Sequence, residues 1–309
     1  MRVRAPLVGL WLACCWAWGP VRAPASPTPH PAPADSQRGK RFEKYVQIPG
    51  AEQVGSSQCR ACHAEAAKSY QRTTHWHEKV ECEGCHGPGS LHVSSTDYGK
   101  IIKFREKSAE AANGVCLGCH AASVPLQNWF SGAHQAHEVR CTDCHRVHLL
   151  EAKLESRRQQ TEACLRCHRK QQAESNLPYH HPVREARMGC ADCHDPHGGT
   201  AANNLRADNL NELCFQCHAE LQGPFTYQHA PVMESCAKCH TPHGSVHRNL
   251  LRVNEPMLCL QCHPGHHNGS LVSLLNRCSN CHSSIHGSDI PSATGGSVFI
   301  DKGKRGGHP

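Results

Sequence analysis

Apolar residues are thinly spread along this chain and seldom recur with the period of an amphipathic helix or a half-buried strand. After one apolar run near the amino terminus, no stretch reaches the roughly 18 consecutive apolar residues of a membrane-spanning helix. Residues with high helix propensity concentrate from Leu149 to Glu174 and from Glu106 to Ala112. The pattern predicts short α-helices and loops with little or no β-structure.

The amino-terminal residues have the pattern of an export signal. A short basic segment precedes the apolar run Ala5–Trp18, and Ala23 and Ala25 flank a proline in a small-residue cleavage site. We therefore predict a signal peptide over residues 1–25 and an exported protein. A lipid anchor on Cys14 or Cys15 is an open alternative.

The composition is unusual for a chain of 309 residues. Hydrophobic residues make up 38% of it, with 22 cysteines included in that share, and aromatic residues only 5%. A chain of this length normally buries a large apolar core, for which this one has too few leucine, isoleucine, valine and phenylalanine side chains. Bound apolar cofactors would supply the missing volume, so we expect folding to be coupled to their attachment.

The cysteines outside the first fifteen residues all belong to ten C-x-x-C-H motifs. In a helical turn, positions i, i+3 and i+4 share one face, so both thiols and the imidazole meet the same group. This is the attachment motif of haem c, in which the thiols bind the porphyrin and the histidine is an axial iron ligand. Zinc sites or disulfides would leave the histidine after every pair unexplained. The ten motifs are Cys59, Cys62 and His63; Cys82, Cys85 and His86; Cys116, Cys119 and His120; Cys141, Cys144 and His145; Cys164, Cys167 and His168; Cys190, Cys193 and His194; Cys214, Cys217 and His218; Cys236, Cys239 and His240; Cys259, Cys262 and His263; Cys278, Cys281 and His282.

The formal net charge of +7 does not indicate a nucleic-acid partner. Loss of Arg2, Arg4 and Arg22 with the signal lowers it from +7 to +4. Each ferric haem adds about one net negative charge, because its two propionates outweigh the charge of the iron porphyrin. The holoprotein is therefore expected to be mildly acidic, and no basic run with interleaved aromatic residues contradicts this.

The histidines outside the motifs follow a regular placement relative to pairs of motifs. One histidine follows each even-numbered motif closely, and another precedes it, usually by seven residues. The first set is His92, His148, His197, His243 and His286; the second is His75, His134, His181, His229 and His266. The spacing favours His75 over His77, whereas His266 and His267 stay equivalent. We interpret His77, His137, His180 and His247 as non-ligands.

Twenty imidazoles for ten irons predict bis-histidine coordination throughout. Three methionines remain after Met1, which is too few for a general methionine ligand. A histidine three residues after a motif does not easily reach the far face of its own iron, so His148, His197 and His243 are expected to ligate neighbouring haems. Iron with two protein ligands has no open position for a substrate, and two imidazoles lower its potential relative to histidine–methionine ligation. The prediction is a low-potential electron carrier and not an enzyme.

Several phrases around the motifs resemble the MtrA/DmsE family of periplasmic decahaem c-type cytochromes. They are CHGPGSLH at Cys85–His92, NWFSGAH ending at His134, CADCHDPHG, NELCFQCHAE, CAKCHTPHGS and CHSSIHGSDIPS. The resemblance covers Gly55 to Ser292 and implies an elongated multihaem fold of short helices and loops around ten closely packed haems, in two pentahaem halves. It also implies a periplasmic protein held at the outer membrane by a β-barrel porin, with an extracellular multihaem cytochrome, iron oxide or Fe(II), and a periplasmic or inner-membrane donor or acceptor, as redox partners.

These observations divide the chain into five parts. They are the signal peptide at 1–25, a Pro/Ala-rich linker and extension at 26–57, an N-terminal pentahaem half at 58–170, a C-terminal half at 171–287, and a poorly ordered tail at 288–309. A free periplasmic shuttle to a terminal reductase is an alternative function. A nitrite- or hydroxylamine-type reductase is a weaker one, since the chain has no C-x-x-C-K motif. The direction of electron flow stays open.

Overall fold

The structure, a computed structural model, describes residues 41–149, 156–264 and 276–290. The predicted signal peptide, the first part of the linker, His266, His267 and residues 291–309 of the tail lie outside the described residues. Within these ranges the longest α-helix has twelve residues, and no helix is long and apolar enough to cross a membrane.

The described chain consists of short helices and turns. Its α-helices are α1 Ser56–Cys62, α2 Ala64–Tyr70, α3 Thr74–His77, α4 Cys82–His86, α5 Ser90–Ser95, α6 Ala109–His120, α7 Ala133–Ala136, α8 Cys141–Cys144, α9 Arg157–Leu165, α10 Arg169–Glu174, α11 Leu210–Phe215, α12 Ala230–Glu234 and α13 Met257–Leu260, and residues 41–43 are also helical. Short 3₁₀ helices are Tyr98–Lys100, Phe104–Glu106, Val124–Leu126, Trp129–Ser131, Cys190–Asp192, Ala202–Asn204, Ala219–Leu221, Cys236–Lys238, Arg248–Leu250 and Cys278–Asn280. In place of sheets, the described residues form isolated β-bridges. The predicted fold class of short helices and loops is confirmed.

Three of the helices that lead into odd-numbered motifs, α6, α9 and α11, begin at polar caps. Ser108 accepts a hydrogen bond from the backbone N–H of Ala111 at the start of α6, and Asn209 accepts one from Glu212 at the start of α11. Such caps satisfy backbone donors that a helix leaves unpaired at its first turn. They fix where each helix begins and therefore how its C-x-x-C-H turn is presented.

The apolar core formed by protein side chains is small. Phe42, Leu117 and Trp129 are buried together, and Tyr45 packs partly against them. No large side chain among the described residues is completely buried. Phe42 belongs to the segment 26–57, whose described part is thus packed against α6 and is not a free linker, because its aromatic side chains find apolar partners there.

The start of the predicted tail is also bonded to the rest of the protein. Ser288 and Tyr227 exchange two backbone hydrogen bonds of 2.9 and 3.0 Å, and the Asp289 carboxylate accepts from the backbone N–H of Thr226 at 2.7 Å. Ser288 and Asp289 are therefore held by hydrogen bonds to the loop ahead of His229.

Two consecutive motifs, one odd-numbered and the next even-numbered, form a structural unit held by a polar side chain. The Asn113 side chain accepts a hydrogen bond of 2.8 Å from the backbone N–H of Cys141 and donates one of 3.0 Å to the Val139 carbonyl. Asn211 accepts in the same way from the backbone N–H of Cys236 at 2.8 Å. Ser56 accepts from Cys82 at 3.1 Å. In all three cases the polar residue stands three positions before the first cysteine of the odd-numbered motif.

Candidate haem sites

Nine of the ten motif histidines lie opposite a second histidine. The ring centroids are 5.8 to 6.4 Å apart. An iron between two imidazoles, with each nitrogen about 2 Å from the metal, would separate the centroids by about 6.3 Å. Numbered by motif, the pairs are site 1 His63–His92, site 2 His86–His148, site 3 His120–His75, site 4 His145–His197, site 5 His168–His134, site 6 His194–His243, site 7 His218–His181, site 8 His240–His286 and site 9 His263–His229.

Backbone carbonyls fix the orientation of many of these rings. Seven of the paired histidines place Nδ1 within 2.7 to 3.1 Å of a carbonyl oxygen. An Nδ1–H that donates to a carbonyl leaves Nε2 as the free lone pair, which is the usual arrangement of a metal-binding histidine. The seven bonds are His86 to Ile102, His92 to Asp97, His134 to Pro196, His181 to Pro242, His194 to Asn203, His229 to Ile285 and His240 to Asn249. The chemistry and spacing of the pairs fit six-coordinate haem iron.

The pairs join different units of the chain. A histidine that follows an even-numbered motif lies beside the motif histidine of the preceding unit, as His197 does with His145. A histidine that precedes an even-numbered motif lies beside the odd-numbered motif of the next unit, as His134 does with His168. His92, which follows the second motif, lies beside His63 of the same unit. The expectation that His148, His197 and His243 serve neighbouring motifs agrees with this placement, although ligation itself stays a prediction.

The structure separates the crowded histidines. His75, and not His77, lies opposite His120. His180 is bonded through both ring nitrogens, with Nδ1 2.6 Å from the Leu177 carbonyl and Nε2 3.3 Å from the Glu185 carboxylate, which leaves His181 for site 7. Among the described residues His77, His137 and His247 face no other histidine ring. The predicted partners of His282, His266 or His267, lie outside the described residues.

Cysteine contacts link the motifs in the order of the sequence. Within each unit the two first cysteines are close enough for one thiol to shift the pKa of the other; the pairs are Cys59–Cys82, Cys116–Cys141, Cys164–Cys190, Cys214–Cys236 and Cys259–Cys278. Between units the same holds for second cysteines; these pairs are Cys85–Cys119, Cys144–Cys167, Cys193–Cys217 and Cys239–Cys262. The two kinds of contact alternate, so each motif neighbours the next from the first to the tenth.

Several known protein families and proteins are similar to this chain in sequence. The family model "Doubled CXXCH motif" matches residues 180–223 and 229–268, and "Cytochrome c554 and c-prime" matches residues 29–87. The multiheme cytochrome MtrA of Shewanella baltica (strain OS185) is 36% identical in an alignment of 266 residues that covers 77% of this chain and 80% of the relative. The chain belongs to the MtrA family of multihaem c-type cytochromes. It therefore carries several covalent haems on its C-x-x-C-H motifs and transfers electrons.

Two more distant similarities are narrower. The C-type polyheme cytochrome OmcC of Geobacter sulfurreducens (strain ATCC 51573 / DSM 12127 / PCA) is 28% identical over 116 residues, covering 31% of this chain and 15% of that protein. An undecaheme cytochrome from the S-layer of Carboxydothermus ferrireducens aligns over 67% of this chain and 32% of its own, at 20% identity and a TM-score of 0.13. A TM-score this low carries no argument about the fold, so the MtrA relationship is the informative one.

Burial favours the neutral form of the cytochrome's candidate ligands. Desolvation lowers the pKa of His120, His148, His197 and His286, and in each case the partner imidazole of the same pair lowers the pKa further. Desolvation lowers the pKa of His243 in the same way. A neutral imidazole is the form that donates a lone pair to a metal.

Burial shifts the pKa of the cysteine thiols in the opposite direction. Desolvation raises the pKa of Cys85 to about 11 and that of Cys259 to about 12. The ligand atoms of Glu255, Cys259 and Cys278 lie within 4.8 Å of one another, but both cysteines belong to haem motifs, so this group is part of the ninth and tenth sites and not a separate metal centre.

Some residues that shape the sites were not found from the sequence. The carboxylate of Glu83, which is buried, accepts hydrogen bonds of 2.8 to 2.9 Å from the backbone N–H groups of Val54, Gly55 and Gly89. It ties the segment before the first motif to the loop after the second. The residues Ser56, Asn113 and Asn211, whose side chains bond the two motifs of a unit together, are called unit locks below. Each stands three residues before an odd-numbered motif, so this recurrence was visible in the sequence. Glu83 stands inside a motif, and no sequence pattern indicated its role.

Proposed function

We propose that this cytochrome is a ten-haem conductor, bis-histidine ligated throughout, that passes electrons across the periplasm and outer membrane to or from extracellular iron or a surface cytochrome. The observation that carries the proposal is the set of nine opposed histidine pairs, arranged on motifs that neighbour one another in sequence order. When bound, the iron porphyrins supply centres that each accept and release one electron.

The residues of the chain have three tasks in such a conductor. The motif and distal imidazoles would hold each iron from both sides and leave no position open for a substrate, which supports an electron carrier rather than a reductase. Carbonyls such as that of Pro242 hold Nδ1 of His181 and aim Nε2 at the site. The unit locks, such as Asn211 on Cys236, keep neighbouring motifs close. Close, fixed spacing is what efficient electron transfer requires.

The proposed location is the periplasm, inside a β-barrel porin partner of the outer membrane. Membership of the MtrA family and the export signal support it. The test is affinity purification of the tagged holoprotein from detergent-solubilised outer membranes. The porin proposal predicts a stoichiometric barrel protein in the eluate, and reconstituted complexes that reduce an acceptor enclosed in liposomes.

The alternative, a free periplasmic shuttle, predicts a different outcome of the same experiment. The holoprotein would then elute alone from the periplasmic fraction, and liposomes carrying the outer-membrane extract would give no transfer above a haem-free control. That result would overturn the conduit while leaving bis-histidine electron transfer intact. Mass spectrometry of the holoprotein tests the number of haems separately, since ten attached haems are expected.

A further inference from the structure

The distal candidate ligand of site 6 has a carboxylate close to its second ring nitrogen. Nδ1 of His243, at site 6, lies 3.4 Å from Oε2 of Glu174. The equivalent nitrogens of His134, His181 and His229 face neutral backbone carbonyls. A carboxylate therefore stands at site 6 where these other distal ligands have a peptide group.

The backbone places Glu174 at this position. It is the last residue of α10, and the turn containing His243 packs so closely on it that a Cβ on Gly244 would collide with the Glu174 carbonyl. The equivalent turns at Gly198 and Gly287 pack on Asn128 and Phe225. Of these three related turns, only the one at site 6 meets an acidic residue.

The carboxylate of Glu174 contacts the His243 ring through one oxygen and Lys170 through the other. Its side chain is 28% exposed, and Oε1 lies 3.8 Å from Nζ of Lys170 on the preceding turn of α10. Two other candidate ligands have a carboxylate near Nδ1 at a longer distance: Glu220 lies 3.8 Å from His218, and Asp195 lies 3.9 Å from His197. Oδ1 of Asp195 also accepts the His197 backbone N–H at 3.0 Å. The contact of Glu174 with His243 is the shortest of the three.

A carboxylate that accepts from Nδ1–H makes the imidazole a stronger electron donor to its metal. The negative charge also favours the more positive, oxidised state of the iron. We propose that Glu174 is a positioning residue that holds site 6 at a lower reduction potential than a backbone acceptor would. The proposal rests on the proposed ligation of His243. It places a low-potential step at the sixth of ten sites, close to the predicted boundary between the two halves.

The test is a spectropotentiometric titration of the full-length holoprotein with Glu174→Gln. The amide keeps the size and an acceptor oxygen but removes the charge. We expect about one tenth of the haem absorbance to move to higher potential, since one motif in ten is affected. Glu174→Asp should restore the wild-type curve at least in part. The matched control is Glu185→Gln, which removes a carboxylate 3.3 Å from the non-ligand His180 and should leave the curve unchanged.

Two further variants keep the outcome decisive. Lys170→Gln removes the cation beside Glu174 and should move the same tenth to lower potential, which tests the proposal even if Glu174→Gln loads fewer haems. A Glu174→Gln curve that superimposes on wild type, with ten haems present, would overturn the role of Glu174. His243→Ala separates this from failure of the proposed ligation: if it produces no high-spin haem, His243 is not a ligand.

Discussion

Nδ1 of His134 lies 2.8 Å from the carbonyl oxygen of Pro196, the residue immediately before His197. The candidate ligand of site 5 is thus bonded to the loop that carries the candidate ligand of site 4. The same relationship joins His181 to Pro242 and His229 to Ile285, each of which precedes a distal histidine. Neighbouring sites in different units are therefore connected by a hydrogen bond from one candidate ligand to the residue before the other. The two ligands cannot easily move independently, so the spacing between their sites is constrained.

Replacing His134 by methionine tests its assignment to site 5. Histidine–methionine ligation raises the potential of haem iron relative to two imidazoles. We expect His134→Met to move about one tenth of the reductive titration to higher potential, because one motif in ten is affected. The measurement is an optical redox titration, with the appearance of a methionine–iron charge-transfer band as an independent sign.

The matched control is His137→Met, three residues away at the end of α7. His137 faces no other histidine ring in the described part of the chain, so this variant should titrate like the wild type. If both variants behave alike, the assignment of the distal ligand of site 5 is wrong.

The adjacent pair His180 and His181 gives a second test of ligation. His181→Ala should leave site 7 five-coordinate and produce a high-spin ferric signal in electron paramagnetic resonance, whereas His180→Ala should remain entirely low-spin. The reason is that both ring nitrogens of His180 are bonded to protein groups, while His181 lies opposite His218. High-spin haem in the His180 variant instead would reverse the assignment.

The sequence predicted the composition of the sites better than their pairing. The type of cofactor and the number of motifs follow from a pattern only five residues long, so both can be predicted directly from the sequence. The spacing of His197 to its motif indicated a partner at a neighbouring motif, but that this partner is His145 depends on how the units stack, and no local pattern encodes it. The packing of Phe42 on Leu117 was not predicted for the same reason. Phe42 stands in the segment 26–57, and no local pattern there shows that its side chain is buried.

The unit lock predicts a specific loss of stability. Asn113→Ala leaves the part-buried backbone N–H of Cys141 and the Val139 carbonyl without this partner, at a cost of about 1–3 kcal/mol in the free energy of unfolding. Denaturant unfolding of the holoprotein, followed by circular dichroism, measures it. Asn176→Ala removes an exposed bond from the turn after α10 to the Gln172 carbonyl and should cost no more than about 0.5 kcal/mol. Equal losses would mean that Asn113 is not a lock.

Ring orientations predict two spectroscopic classes of haem. If both rings of a pair contain the nitrogen–iron–nitrogen axis, their interplanar angle is the twist between the ligands. The twist is 87°, 65° and 54° at sites 3, 5 and 7 but only 13° to 29° at the other six paired sites. Crossed ligand planes bring two iron d orbitals close in energy and increase the anisotropy of the low-spin ferric signal. We expect about a third of the signal from the nine paired sites to be of this highly anisotropic type, and a single rhombic class would contradict the geometry.

Removal of the haems should abolish folding. The buried apolar residues of the described chain are few, and the core cluster among them consists of Phe42, Leu117 and Trp129. So little buried apolar surface does not offset the conformational entropy of a chain of 309 residues. Protein produced without haem attachment, with its thiols kept reduced, is expected to show little helical circular dichroism and no cooperative thermal transition. The holoprotein, produced in parallel, is the control and should show both. Cooperative unfolding of the haem-free chain would mean that the polypeptide specifies this arrangement on its own, and the short capped helices, rather than the cofactors, would then be the source of its stability.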